Sequence, residues 1–273
     1  MNLRQYAEKI LYSEKLEDKL KADKVSLDFC EFSKSSKQIE CPKREKRIQF
    51  SDERKKFPKV GNLDKDQEKA VALHFFANHE LQAFEMMAAF ILKFECKTNE
   101  HLQMMVDVYH TLEDEKKHFL LYQKRMQSLG YDFGDFPCND FFWKQMQKIE
   151  SPEEYFSFMA LTLEAANLDF SKDYRNVFKT IGDQQTADVL QIVYQDEIRH
   201  VSVGRHWLDL WKENDSLWEY YCINLPDMIT PARSKGKVFD SEGRKLAGLS
   251  DDFIVTVKEY RDDFKVTDRK HWK

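Results

Sequence analysis

Glycine and proline are scarce, with 8 and 6 in 273 residues. Sandwiches and small barrels turn often and need more of both, so the shortage argues for helices. No uninterrupted apolar run approaches the roughly 20 residues of a membrane span, so no membrane association is expected. The opening stretch MNLRQYAEKILYSEKLEDK mixes charges of both signs and has no apolar signal core. The five cysteines, Cys30, Cys41, Cys96, Cys138 and Cys222, are odd in number and form no Cys-x-x-Cys. That pattern predicts free thiols in a reducing cytoplasm rather than a disulfide framework. Positive charge is not in excess either. With 43 Lys and Arg against 48 Asp and Glu, the net charge is −5, which leaves no global electrostatic footprint for nucleic acid.

What is present is apolar content of 42% and charged content of 33%, the mixture of long amphipathic helices. Four stretches carry apolar residues at three-and-four spacing. Helix A, 65–94, presents Leu73, Phe76, Ala77, Phe84, Met87 and Ile91 as one buried stripe. Helix B, 99–129, presents Leu102, Met105, Val108, Leu112, Phe119 and Tyr122, with Gly130 as its stop. Helix C, 152–180, opens on Ser151-Pro152-Glu153-Glu154, a cap followed by proline and first-turn acids. Its inward set is Phe156, Met159, Ala160, Leu163, Asn167 and Phe170. Helix D, 184–212, carries Leu190, Val193, Tyr194, Val201, Gly204 and Leu208.

Between B and C lies an aromatic, turn-rich crossover, 130–151, with a short helix near Phe141–Lys148. It reads equally as the lining of an apolar substrate channel or as a plug. The expectation is an all-α fold: a ferritin-like four-helix bundle over 65–212, two hairpins joined by one long connection. A charged N-terminal extension, 1–64, precedes it, with a short helix near 3–20 and a basic stretch 41–62 read as a solvated arm draped over the domain or, alternatively, as an arm that touches an anionic substrate. A helical cap, 213–273, follows, with helices near 215–223 and 250–264.

The chemistry concentrates in two Glu-x-x-His pairs, Glu115/His118 on helix B and Glu197/His200 on helix D. A spacing of three puts carboxylate and imidazole on nearly the same helix face. With 23 glutamates and 8 histidines in the chain, chance alone supplies nearly one such pair, so the pairs matter only with their context. Both sit on apolar stripes, and each hairpin partner offers an inward glutamate. On helix C that is Glu164, 33 residues before Glu197. On helix A it is Glu80 or Glu85, 35 and 30 residues before Glu115. Glu80 lies within the stripe and Glu85 beside it, which favours Glu80 and leaves Glu85 as a bridging residue or a neighbour of the ligands.

Buried carboxylates that converge need cations. Four carboxylates and two imidazoles suit two iron ions, or manganese, better than four-coordinate zinc. Each histidine needs an acceptor for its other ring N–H, and Asp114, Asp196 and Asn167 are the candidates. His79, beside Glu80, and Tyr109 and Tyr194, on the B and D stripes, are further candidates near the metals, although surface placement for His79 and core packing for the tyrosines are the plainer readings.

HFFANHELQAFE (74–85), LEAANLD (163–169) and DEIRHVSVGRHW (196–207) resemble the matching stretches of an uncharacterised ferritin-like family, and NLPDMITPAR…KLAGL (224–249) resembles its tail. That family is similar to the di-iron hydroxylase acting on an isopentenylated adenosine of tRNA. The resemblance implies a non-haem di-iron centre with oxygen-dependent chemistry and favours Glu80 as the helix-A ligand. The expected function is therefore an O2-dependent oxidase or monooxygenase in a monomer or dimer, with a small-molecule or modified-nucleotide substrate. A non-enzymatic iron-handling or metal-stabilised interaction protein, and a dimanganese peroxide-disproportionating enzyme, are the competing readings.

Overall fold

A computed structural model describes residues 1–27 and 39–263. Cys30 lies outside the described residues. Among those described there is no β-strand, only two isolated bridges, and no helix is long and apolar enough to cross a membrane. Cys41, Cys96, Cys138 and Cys222 are free thiols. The chain divides into two compact units, Met1–Gln147 and Lys148–Lys273.

The first unit is built on a hairpin of α3 (Asp66–Lys93) and α4 (Asn99–Gln127). Thr98 caps α4 by accepting from the backbone N–H of His101, and Gly130, at φ 83°, follows its end. The expected single stripe on α3 is too modest. From Glu80 to Leu92 every residue of α3 is buried, because α1 (Leu3–Tyr12), α4 and α5 (Phe141–Met146) all pack on it. The N-terminal stretch forms two helices, α1 and α2 (Leu16–Leu20), rather than one.

The basic arm departs from a wholly solvated segment, because it carries a buried charge, Arg44, which is 6% exposed. Lys19, in α2, is fully buried as well. The crossover aromatics form part of the core: Phe133 and Trp143 are buried, and Phe133 stacks on His74 at 4.7 Å.

The second unit pairs α6 (Pro152–Phe158), a π-helical turn Met159–Glu164 and α7 (Ala165–Thr180) with α8 (Gln184–Trp211). Ser151 and Asp183 cap α6 and α8 through Glu154 N–H and Thr186 N–H. The π turn corrects the expected inward face of helix C. Phe156, Met159 and Ala160 are buried as expected, but Phe170 is 43% exposed and the buried positions become Glu164, Leu168 and Ser171. Hydrogen bonds to the fifth residue insert one extra residue per turn, so each later inward position moves one residue along. The wide turn is braced by Thr162 Oγ1, which donates to Ser157 O at 2.9 Å. Opposite it, Gly204 admits α8 so closely that a Cβ there would lie 2.1 Å from Ala160 Cβ.

The tail of this unit, α9 (Leu217–Ile223), a 3₁₀ turn Pro231–Ser234, α10 (Ser241–Leu246) and α11 (Asp251–Glu259), is tied to α7 by Arg244. This fully buried guanidinium pairs with both oxygens of Asp169 at 2.6 and 3.0 Å and donates to the carbonyls of Ala165, Ser234 and Asp240.

Candidate metal centre

Each hairpin gathers one glutamate and one Glu-x-x-His pair. In the first unit, α3 supplies Glu80 and α4 supplies Glu115 and His118. Each offers one ligand atom, and these lie within 4.8 Å of one another. His118 Nδ1 is 4.0 Å from Glu80 Oε2 and 3.8 Å from Glu115 Oε2. In the second unit, Glu164 ends the π turn and α8 supplies Glu197 and His200, again within 4.8 Å. His200 Nδ1 is 3.2 Å from Glu197 Oε2. All six residues are at most 5% exposed.

These groups fit a cation on the chemistry of the donors. Each triad puts two carboxylates and an imidazole at the separation that one ion, with ligand distances of about 2.0–2.4 Å, can span after small rotamer adjustments. Carboxylates this deeply buried are costly without a compensating positive charge. Buried Glu/His groups that can hold a metal ion are thus a property of both units.

Glu85 belongs elsewhere. Arg44 Nη2 donates to Glu85 Oε2 at 2.6 Å and Lys19 Nζ to Glu85 Oε1 at 3.0 Å, all three side chains being buried. Glu85 is therefore the counter-ion of the N-terminal segment. Burial pulls the Lys19 ammonium below its ordinary value, against the opposing pull of Glu85.

Asn167, one turn after Glu164, donates from Nδ2 to Glu197 Oε1 at 2.7 Å. It was expected to accept from a histidine but instead fixes one oxygen of a candidate ligand. Asp114 and Asp196 pair with Lys117 and Arg199, both at 3.1 Å. His79 is half-buried and stacks on Phe142 at 4.8 Å. Tyr109 lies edge-on to Tyr6 at 6.2 Å. Tyr194 donates its hydroxyl to Asp240 Oδ2 at 2.7 Å, and burial, reinforced by this bond, raises its pKa.

The described contacts of His79, Tyr109 and Tyr194 are with residues other than the triads. His74 is a core group. Its Nε2 accepts from Gly134 N–H at 3.2 Å, and burial lowers its pKa to about 4.

A family model described as "Protein of unknown function (DUF455)" matches residues 2–255. The chain belongs to that family. Among curated proteins, an "Uncharacterized protein" of Haemophilus influenzae (strain ATCC 51907 / DSM 11121 / KW20 / Rd) is 28% identical over 201 residues, covering 70% of this chain and 69% of that one. No solved structure matches. The stretch shared with the family contains both triads, the Lys19–Arg44–Glu85 cluster and Arg244 with Asp169.

Proposed function

We propose that the two triads together make one dinuclear, non-haem iron centre in a ferritin-like arrangement of the two hairpins, and that the protein is an O2-dependent oxidase or monooxygenase of an organic substrate. The observation that carries this reading is the repetition: each hairpin converges two buried carboxylates and an imidazole on one point. Six donors of this composition suit iron, with manganese as the alternative.

Bound iron would supply the activation of oxygen. The protein's part is separable from that. Glu80, Glu115, Glu164 and Glu197 provide anionic charge for the higher oxidation states. His118 and His200 bind as neutral imidazoles. Asn167 holds one oxygen of Glu197 in place. Full burial of Glu115, His118 and Glu197 keeps bulk water from the donors. The substrate is a small molecule or a modified nucleotide, and the protein acts in the cytoplasm as a monomer or dimer.

The test is anaerobic ferrous loading followed by oxygen. Two irons per chain, a transient chromophore and turnover of an organic substrate are expected. A spectrum that stays unchanged in fully loaded protein would falsify the oxidase reading. Glu115→Ala and His200→Ala should each sharply reduce metal content. Retention of two ions by both variants overturns the ligand assignment. Oxygen release from peroxide by the manganese form, or shell assembly without product, would replace the reading with a disproportionating enzyme or an iron-handling protein.

A further inference from the structure

The second unit carries a separate feature that the metal reading does not use. A pocket of about 460 Å³ opens between the loop after the Pro231–Ser234 turn and the C-terminal end of α11. Its lining includes Lys235, Lys237, Lys258 and Arg261, with the rings of Phe239 and Tyr260. The one acidic side chain in the lining, Asp262, accepts from Thr230 Oγ1 at 2.6 Å.

Both walls are held in place. Lys235 Nζ donates to the carbonyls of Val257, Lys258 and Tyr260, the last two at 2.8 Å, and so staples the loop to the end of α11. Gly236 N–H donates to Asp169 Oδ2 at 2.8 Å, tying the same loop to α7. Phe239 is backed by the Arg244 guanidinium, 4.0 Å from its ring centroid.

The division of labour among the cations is informative. Lys235 spends all three ammonium protons on the carbonyls around the end of α11, where a helix dipole is negative. It therefore neutralises that end. Lys237 and Lys258 are exposed lysines on the same rim, and Arg261 adds a third positive charge while bonding to the carbonyls of Lys258 and Tyr260. A rim of three cations around a cavity with two aromatic rings has the chemistry to hold an anion attached to a flat or apolar group.

We infer that this pocket binds an organic phosphate, its anionic group between Lys237, Lys258 and Arg261 and its ring against Phe239 and Tyr260. The site lies wholly in the second unit and does not depend on the metal. The experiment uses the full-length, metal-free chain titrated with phenyl phosphate, with inorganic phosphate and phenol as separate arms. The indole N–H resonance of Trp218 reports, because its ring lies 5.9 Å from that of Tyr260.

Saturable binding of phenyl phosphate is expected, about fivefold tighter than inorganic phosphate, the gain a single aromatic contact gives. Lys237→Glu with Lys258→Glu should weaken it at least about tenfold. The charge-matched pair Lys148→Glu with Lys179→Glu should change it less than about twofold. No saturation with any arm, or equal weakening by the two double variants, overturns the site. Phenol binding as tightly as phenyl phosphate shows an apolar pocket and overturns the phosphate assignment. Metal content of each variant, measured on a separate portion loaded with iron, reads the proposed centre independently, so failure of one idea is distinguishable from failure of the other.

Discussion

The two hairpins present the same three ligands, two carboxylates and an imidazole, and hold them by different means. In the first, α3 and α4 are regular throughout, and the buried charge farther along α3, Glu85, is met from the chain's own beginning by Lys19 and Arg44. In the second, the helix widens into a π turn at its ligand Glu164, Asn167 grips Glu197, and the tail is locked on by Arg244 and Asp169. A ligand pattern is thus compatible with two scaffolds. In each, a segment far away in sequence supplies a buried cation to the helix that donates the lone glutamate.

The comparison is broken most severely at those cations. Glu85→Ala leaves Lys19 and Arg44 buried without their counter-ion and should cost about 3–5 kcal/mol. Arg244→Ala strands Asp169 and should cost a similar amount. Denaturant unfolding of both variants measures this. A loss below about 1 kcal/mol in either would show that the latches are not equivalent.

Acid should act on the first unit through His74. Its pKa is about 4 in the folded protein against about 6.5 unfolded. The unfolded chain therefore binds the proton more readily. The contribution is complete above pH 6.5 and is lost as pH falls toward 4, about 3 kcal/mol in all. His74→Phe should flatten the fall in melting temperature between pH 7 and pH 5. An unchanged slope would refute the assignment.

Next in size is Gly204→Ala. It forces a methyl group against Ala160 at the π turn and should destabilise the protein by about 1–3 kcal/mol, as overpacking does, despite alanine's better helix propensity. Pairing it with Ala160→Gly should restore most of the loss. Smallest is Asn167→Ala, expected to weaken the more loosely held ion about tenfold while leaving the melting temperature of the metal-free protein within about 2 °C. Metal titration followed by equilibrium dialysis reads it. Equal affinity in variant and wild type would remove Asn167 from the site.

Much of the fold was legible because its signals are local. Helix B was expected to begin at 99 and helix C to run 152–180, and both do so apart from the π turn. Helices A and D were placed within one residue of Asp66–Lys93 and Gln184–Trp211. Caps, glycine stops and apolar periodicity act within a few residues, and the Glu-x-x-His spacing is equally local. The short helix Ser241–Leu246 went unseen because SEGRKL carries no apolar stripe.

The rest depends on partners distant in the chain. Nothing near Glu85 announces Lys19, 66 residues earlier, and nothing near Asp169 announces Arg244. The π turn was hidden for another reason. MALTLE is apolar enough to satisfy either register, and only the pattern of burial, with Phe170 exposed and Glu164, Leu168 and Ser171 buried, separates them.

That wide turn also bears on how relatives of this chain should be compared. An added residue in one turn of a helix is the footprint of a single-codon insertion, and it can be removed the same way. A relative lacking it would carry its buried positions at the places of Leu163, Asn167 and Phe170 again, and an ungapped alignment through Met159–Glu164 would then equate residues that point about 100° apart around the helix. Matching such sequences by the carboxylate at Glu164, and letting the gap fall just before it, keeps chemically equivalent positions together.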